Sequence, residues 1–372
     1  MNTKNVKVGV IGCGVISNIY LDNSKKFDGF DIVACADLDL DRAKDVAEKH
    51  DIRALSVDEL LADNEVELVL NLTIPAAHAE IALAALENGK HVYGEKPLAV
   101  TREDAKKILD KAKETNLKVG SAPDTFLGGG LQTCRKLIDD GWIGRPIGAT
   151  AFMMSSGPES WHPHPEFFYK TGGGPMFDMG PYYLTAFVNL LGAVKKVTSI
   201  TTKAHEERLI TSQPKSGTFM PVELPTTIFG LLEFDSGVVG SILTSFDIAG
   251  GSSLPRIEVY GTEGTLIVPD PNTFGGPIKI KRSGSSEWSE VPLSHGFADN
   301  SRGIGLADMA LSISSERPHR ANGDLAYHVL DLMHSFHDSS DEGKHIDITS
   351  KVERPEAFPA ALEWANLRLK LS

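Results

Sequence analysis

The N-terminal region contains a strand, a glycine-rich turn and a helix in immediate succession. Val6–Ile11 is a short apolar run rich in β-branched residues, which is typical of a strand buried on both faces. It leads through Gly12-x-Gly14-x-x-Ser17 into a predicted helix over residues 18–24. Glycines at this spacing allow a tight turn and a close approach of the backbone to a ligand, and small Ser17 still permits close helix packing. The pattern predicts an anion site on the amides at the helix N-terminus.

A second apolar run, residues 32–36, ends in Asp37, about 20 residues beyond the glycines. An acidic side chain at this distance accepts hydrogen bonds from ribose hydroxyls and repels a 2′-phosphate. A turn or helix-capping role for Asp37 is the alternative. The two strands together predict a dinucleotide site that takes NAD rather than NADP. The expected contacts are Gly12, Gly14, Val15, Ile16 and Asp37.

Helix and strand signals continue to alternate as far as residue 121, which predicts a parallel sheet with crossover helices. Further strands are predicted at 68–72, 90–93 and 117–121. Ligands of such sheets bind at the carboxyl ends of the strands, near the point where the strand order reverses. At these ends we expect the cofactor to contact Asn71, Thr73, Pro75, His78, Glu95, Lys96 and Pro123. Asp124, at the last strand end, is expected at the substrate.

The tetrapeptide Gly94-Glu95-Lys96-Pro97 follows one of these strands. A residue before proline favours extended dihedral angles, so Lys96 should project from the strand end. The pKa of a lysine ammonium shifts readily on desolvation or beside another cation, which suits Lys96 to catalysis. A solvated lysine in a strand-ending turn is the alternative. Glu95 either orients Lys96 or holds the turn.

From residue 126 the pattern changes to one helix, 128–140, followed by strand-like runs. The runs are 147–154, 196–203, 226–234, 238–245, 256–260 and 265–268. Turn sequences at 235–237 and 262–264 are typical of hairpins. The second half is therefore predicted to be an α+β domain with a large, mainly antiparallel sheet. Because 372 residues exceed one ordinary core, we expect an α/β domain over 1–124 and this domain over 125–372.

A second glycine-rich stretch, residues 172–184, contains Asp178 and Tyr182. These two residues are four apart and share one face of a helix. Because proline is tolerated in a first turn, Pro181 predicts that the regular helix begins near Asp178, with its carboxylate at the N-terminus. A simple N-cap for Asp178 and a core position for Tyr182 are the alternatives.

The formal net charge of −13 argues against nucleic acid and anionic membrane surfaces as partners, since both require a basic face. The three cysteines are far apart, which is typical of a reducing compartment. No run approaches the roughly 18 apolar residues of a membrane span. We therefore expect a cytoplasmic protein that binds neither nucleic acid nor membrane.

Three separated motifs resemble the Gfo/Idh/MocA family of sugar and cyclitol oxidoreductases: the first glycine turn, the run 91–98 and the stretch 172–183. The resemblance implies a Rossmann domain, a nicotinamide cofactor and a C-terminal domain whose open sheet forms homodimers or homotetramers. It also implies a catalytic lysine at Lys96 and a helix aspartate at Asp178. Many members carry histidine where this chain has Tyr182, so the chain is more similar to the glucose-fructose oxidoreductase and dimeric dihydrodiol dehydrogenase branches.

The loop before the second glycine stretch contains Trp161, His162 and His164. We expect Trp161 and His162 at the substrate, with the indole stacking on a sugar ring or the nicotinamide. Two histidines without a third partner at ligand spacing are typical of a capped loop, so no metal site is expected.

These features predict an NAD-dependent oxidoreductase that removes a hydride from a secondary alcohol of a sugar, sugar derivative or polyol. The hydroxyl proton needs a nearby acceptor. Tyr182 would exchange it, since an ammonium such as that of Lys96 stabilises a phenolate. Lys96 would polarise the oxygen and Asp178 would orient a hydroxyl; Lys96 as the base itself is the alternative. A non-catalytic NAD-binding regulator and a dehydrogenase of a non-carbohydrate diol also remain open.

Overall fold

The computed structural model describes residues 5–315 and 317–360, so the outermost parts of the two predicted domains lie outside the described residues. The chain forms two compact units. Of the described residues, the first contains those up to Gly128, those within His295–Leu330 and those from Phe358 to residue 360; the second contains Gly129–Ser294 and Asp331–Ala357. The predicted boundary after residue 124 stays a prediction, and the first unit includes two segments that follow it.

A six-stranded parallel sheet forms the centre of the first unit. Its strands are β1 Val6–Ile11, β2 Phe30–Ala36, β3 Arg53–Leu55, β4 Leu68–Asn71, β5 His91–Gly94 and β6 Val119–Ser121. Their order is β3-β2-β1-β4-β5-β6, so the direction of winding reverses between β1 and β4. The central strands are almost fully buried, as continuous apolar runs require. The reversal places a ligand crevice at the carboxyl ends of β1 and β4.

Helices connect these parallel strands. They are α1 Ser17–Ser24, α2 Leu40–His50, α3 Val57–Ala62, α4 His78–Glu87 and α5 Arg102–Thr115. The turn before α1 depends on Gly12, whose φ is +102°. A Cβ atom on this residue would lie 2.6 Å from the carbonyl carbon of Leu72, so only glycine fits.

The second unit contains α6 Gly129–Asp139 and a nine-stranded mixed sheet. The sheet strands are β7 Pro146–Met154, β8 Val194–Thr202, β11 Thr227–Phe234, β12 Val239–Ser245, β13 Ile257–Gly261, β14 Gly264–Val268, β15 Ile278–Arg282, β16 Ser289–Val291 and β17 Ile346–Asp347. Between β8 and β11, β9 Glu207–Leu209 and β10 Phe219–Pro221 form a separate antiparallel pair. Every adjacent pair in the large sheet is antiparallel except β7 with β12. The predicted fold class is confirmed.

The remaining helices are α7 Gly174–Leu191, α8 Ile304–Ser315 and α9 Gly323–Glu342. The predicted start of α7 near Asp178 is wrong, because the helix begins one turn earlier and Pro181 lies inside it. Pro175 takes the first-turn position. An interior proline costs about 3 kcal/mol, which the burial of nearly the whole helix offsets. Asp178 therefore lies in the second turn and not at the N-terminus.

The nine-stranded sheet has one covered and one open face. On the covered face, a Cβ atom on Gly230 would lie 2.3 Å from the ring of Phe336 in α9, so only glycine allows the helix to pack this closely. The other face exposes large apolar side chains on three adjacent strands, and we call it the open sheet face. Its exposed apolar residues are Ile200, Phe229, Leu231 and Val239. Among the described residues, no helix has the length and apolarity needed to cross a membrane.

Candidate functional site

The glycine turn after β1 presents open backbone to a ligand. A Cβ atom on Gly14 would have no neighbour within 4 Å, and Val15 is 93% exposed. Ser17 replaces a third glycine and donates its hydroxyl to the Gly14 carbonyl at 2.7 Å, which ties α1 to the turn. Ile16 is half-buried at the start of α1. The turn has the free space above its amides that a pyrophosphate needs.

Asp37 lies at the end of β2 and is held by backbone donors. Its Oδ2 atom accepts a hydrogen bond from the Cys13 amide at 2.8 Å, and its Oδ1 atom accepts one from the Asp39 amide at 2.9 Å. The guanidinium of Arg42 lies 3.4 Å from Oδ1. The N-cap of α2 is Asp39, not Asp37, so the capping part of the alternative for Asp37 is wrong, whereas the hydrogen bond from the Asp39 amide fits its turn part. The carboxylate is fixed beside the glycine turn.

Three exposed apolar side chains follow the ends of β1, β2 and β4. They are Val15, Leu38 and Ile74, which are 93%, 99% and 69% exposed. Exposed apolar groups at a strand-end crevice fit the faces of planar rings. With the open glycine turn and the fixed carboxylate, this edge has a place for the pyrophosphate, the ribose and the bases. The residues present therefore fit a dinucleotide.

The predicted cofactor residues after β4 hold one another in place. Asn71 is buried; its amide donates to the His78 carbonyl at 3.0 Å and its oxygen accepts the Thr73 hydroxyl at 2.7 Å. The ring nitrogens of buried His78 face the carbonyls of Pro97 and Thr73 at 2.7 and 3.1 Å. Burial lowers the pKa of His78 although both carbonyls favour its charged form. His78 thus connects the turn after β4 to the turn that carries Lys96, while Pro75 is exposed.

Glu95 connects Lys96 to the helix of the glycine turn. Its Oε1 atom accepts a hydrogen bond from the Tyr20 hydroxyl in α1 at 2.7 Å, and its Oε2 atom accepts one from the Lys96 amide at 3.1 Å. Lys96 is half-buried just beyond the carboxyl end of β5, as predicted from its position before Pro97. Nothing in the sequence identified Tyr20 as a partner, because 75 residues separate it from Glu95.

Pro123 and Asp124 are both buried. The Oδ2 atom of Asp124 accepts hydrogen bonds from the amides of Gly303 and Gly305 at 2.9 and 3.0 Å, where α8 begins. Burial raises the pKa of Asp124 to about 6, although both amides favour the carboxylate. Asp124 holds the start of α8 against β6. This burial does not favour the predicted contact with a substrate.

In the second unit, Asp178 and Tyr182 lie one turn apart on α7, half-buried and buried respectively. Asp178 opens onto a cavity of about 200 Å³ within this unit. Trp161 also lines the cavity, so the structure brings together two of the residues that the sequence placed at the substrate. Tyr182 and His162 do not line it. The neighbouring Tyr183 does line it, although its ring is buried.

His162 helps to hold the Trp161 loop. Its ring packs edgewise on Trp161 and Phe168, with ring centres 5.5 and 5.2 Å apart, and its Nδ1 atom accepts the His164 amide at 3.0 Å. These contacts fit the capped-loop interpretation. Among the described residues, no group of three or more His, Cys, Asp or Glu side chains is arranged to hold a metal ion.

A buried arginine that the sequence did not reveal anchors the same loop. Arg208 of β9 forms ion pairs with Glu159 and Asp247, and it donates to the carbonyls of Ser156 and Phe246 at 2.9 and 2.8 Å. Its guanidinium also lies 5.3 Å from the ring centre of Tyr169. The polar segment between β8 and β11 therefore fixes the loop that carries Trp161.

Two family models match the chain. Residues 6–122 match the oxidoreductase family with an NAD-binding Rossmann fold, and residues 131–267 match the GFO/IDH/MocA C-terminal domain. The chain belongs to the Gfo/Idh/MocA family. The predictions of the family, of an oxidoreductase and of NAD as cofactor are confirmed.

The chain is also similar to dehydrogenases of known name. The chain is 29% identical over 266 residues to scyllo-inositol 2-dehydrogenase (NAD(+)) of Bacillus subtilis, covering 71% of this chain and 73% of the relative. It is 24% identical to D-xylose dehydrogenase of Paenarthrobacter nicotinovorans over 82% of this chain and 84% of the relative.

Solved structures share the fold. An NAD-binding oxidoreductase from Klebsiella pneumoniae aligns with a TM-score of 0.82 and 22% identity, covering 94% of this chain and all of the other. Levoglucosan dehydrogenase in complex with NADH aligns with a TM-score of 0.79 and 22% identity over the same shares.

Proposed function

We propose that this family member is an NAD-dependent dehydrogenase that oxidises a secondary alcohol of a sugar, sugar derivative or polyol. The observation that carries the proposal is the presence of Lys96 just beyond a strand end of a dinucleotide-binding sheet, held there by Glu95. The relatives named as inositol and xylose dehydrogenases support the substrate class. When bound, the nicotinamide accepts the hydride.

The cofactor preference follows from Asp37. Its carboxylate is fixed beside the glycine turn by the amides of Cys13 and Asp39. A fixed carboxylate accepts hydrogen bonds from ribose hydroxyls and repels a 2′-phosphate, which favours NAD over NADP.

Three residues are proposed to act on the substrate hydroxyl groups while the nicotinamide accepts the hydride. Tyr182 receives the hydroxyl proton, Lys96 polarises the substrate oxygen, and Asp178 accepts a hydrogen bond from a substrate hydroxyl. Tyr182 replaces the histidine that many family members carry. Lys96 lies in the first unit, whereas Asp178 and Tyr182 lie one turn apart in the second.

The test is to supply the purified protein with NAD and a panel of sugars, glycosides and cyclitols and to follow NADH formation. Lys96→Ala and Tyr182→Phe are each expected to abolish turnover while the NAD dissociation constant stays near that of the wild type. Lys106→Ala is the matched control, because Lys106 is an exposed residue of α5 paired with Asp110. Near-normal turnover in both site variants would contradict the assigned roles. No turnover by the wild type with any alcohol would favour an NAD-binding regulator.

We also propose that the protein forms a homodimer or homotetramer through the open sheet face. Four exposed apolar residues on three adjacent strands form a surface that isolated proteins rarely leave uncovered. Light scattering of the wild type against Phe229→Lys tests this assembly. An unchanged mass for the variant would contradict it.

A further inference from the structure

A connection rich in glycine and serine crosses one end of the large sheet in the second unit. In that sheet β7 lies between β12 and β13, and residues 246–256 connect β12 to β13. Ser245, the last residue of β12, is level with Met154, the last residue of β7, and Met154 lines the cavity of this unit. The connection therefore passes over the end of β7 at the rim of the cavity.

Both ends of this connection are fixed at the cavity. Phe246 and Arg256 line it. The amide of Ile248 donates to the Ser155 carbonyl at 2.9 Å, and the amide of Phe152 donates to the Arg256 carbonyl at 2.8 Å. These bonds join both ends to β7 and to the segment that follows it. A movement of the middle of the connection would therefore turn about two fixed points at the cavity rim.

The middle of the connection, residues 249–254, has few contacts, and we call it the cavity loop. All of its residues are exposed. Within the described part of the chain, its hydrogen bonds run from the Gly251 amide to the Ile248 carbonyl at 3.2 Å and from the Leu254 amide to a serine hydroxyl of the loop at 3.1 Å. A Cβ atom on Gly250 or Gly251 would have no neighbour within 4 Å. Exposed backbone with so few contacts changes conformation at a low cost in free energy.

Leu254 provides an apolar side chain that can cover the cavity. It is 52% exposed, and the cavity itself opens to solvent, since Trp161 in its lining is 66% exposed. Moving Leu254 over the opening would remove both apolar side chains from water, which is favourable. A loop that closes over a bound substrate also excludes water from the reacting groups.

We propose that the cavity loop is a lid that closes when the alcohol is bound, with Leu254 covering the opening of the cavity. Closure holds the alcohol in the cavity and excludes water from it. The inference rests on the proposed function for the identity of the ligand as an alcohol and for the reaction that closure assists.

Hydrogen–deuterium exchange of the full chain with NADH tests closure. The probes are a glycoside and a cyclitol, methyl α-glucopyranoside and myo-inositol, because NADH and an alcohol can bind together without turnover. Exchange of the amides of the cavity loop should slow at least about tenfold when a probe is added. Equal exchange with and without both probes would overturn the inference.

The turn between β15 and β16 is the internal control for this exchange. Its tripeptide Gly284-Ser285-Ser286 repeats Gly251-Ser252-Ser253 of the cavity loop. Both glycines have positive φ, +83° and +68°, and both have free space around them, but the turn contributes no residue to the cavity. Exchange in the control turn should stay unchanged. Equal slowing in both segments would mean a general stabilisation and would also overturn the lid.

Variants of Leu254 connect closure to turnover. Leu254→Ser should lower kcat/KM about tenfold for the alcohol that the wild type oxidises fastest, the size of one lost apolar contact, with the NAD dissociation constant unchanged. Leu254→Met, which conserves volume, should stay within about twofold of the wild type. Trp288→Ser is the matched control, because Trp288 is a 39% exposed apolar residue close to the control turn.

The two measurements separate the lid from the proposed function. If no alcohol is oxidised, the proposed function fails, while slower exchange confined to the cavity loop still supports the lid. If alcohols are oxidised but Leu254→Ser keeps the wild-type kcat/KM, the proposed function stands and the lid is refuted.

Discussion

Replacing Arg208 with alanine should destabilise the second unit strongly. The side chain of Arg208 is 8% exposed, and its ion-pair partners Glu159 and Asp247 are 14% and 8% exposed. The substitution leaves two largely buried carboxylates without their cation and two backbone carbonyls without a donor. Removing one partner of a buried ion pair costs about 3–5 kcal/mol. We expect the free energy of unfolding to fall by this amount.

Lys215→Ala provides a matched control. Lys215 pairs with Glu166 in the same loop region, but the two side chains are 37% and 30% exposed. A pair this exposed contributes less than about 1 kcal/mol. Urea unfolding followed by circular dichroism, fitted with two transitions because the chain has two compact units, measures both variants. If the two variants lose the same small amount, the buried cluster does not stabilise the unit as argued.

The loss should depend on pH. Burial alone would raise the pKa of Asp247, but hydrogen bonds from Thr226, Thr227 and Arg208 outweigh it and hold the pKa below its usual range. A lowered pKa contributes stability above the ordinary aspartate pKa of about 4, and that stability is lost as the pH falls through the lowered value. The difference between wild type and Arg208→Ala should therefore be complete at neutral pH and shrink in acid. A difference that grows in acid would refute this reasoning.

Two other substitutions test single groups of the first unit. Because the pKa of Asp124 is about 6 in the folded protein, its contribution to stability is complete below pH 4 and is lost between pH 4 and 6, a fall of about 3 kcal/mol. In urea titrations at a series of pH values, Asp124→Asn should lack this step, and a step of equal size in the variant would contradict the assignment. Glu95→Gln cannot accept from both the Tyr20 hydroxyl and the Lys96 amide, so kcat should fall about tenfold with the NAD dissociation constant unchanged. Unchanged kcat in steady-state assays would mean that Glu95 only holds the turn.

The fold of the parallel-sheet unit can be predicted from the sequence because the patterns that indicate it are local. Buried parallel strands are continuous apolar runs, and the Gly12 turn must pass within contact distance of Leu72, so that glycine is obligatory. The position of Lys96 is also predicted from a local signal, because the proline after it disfavours helix and leaves the lysine at the carboxyl end of the strand. Hairpin turns likewise predicted the antiparallel pairs of the second unit.

Other features depend on contacts between distant residues, for which a sequence pattern contains no signal. Pro181 suggested a helix start, yet the packing of α7 sustains a helix around it. The Asp124 carboxylate accepts hydrogen bonds from backbone amides about 180 residues away. Arg208 forms ion pairs with carboxylates about 40–50 residues away on either side in the sequence. The sequence by itself determined the Rossmann fold, the family and the residue types of the chemistry. Only the tertiary structure decided which of those residues are buried and fixed by hydrogen bonds and which line a cavity. The physical reason is that the burial of a side chain depends on residues from distant parts of the chain that pack against it.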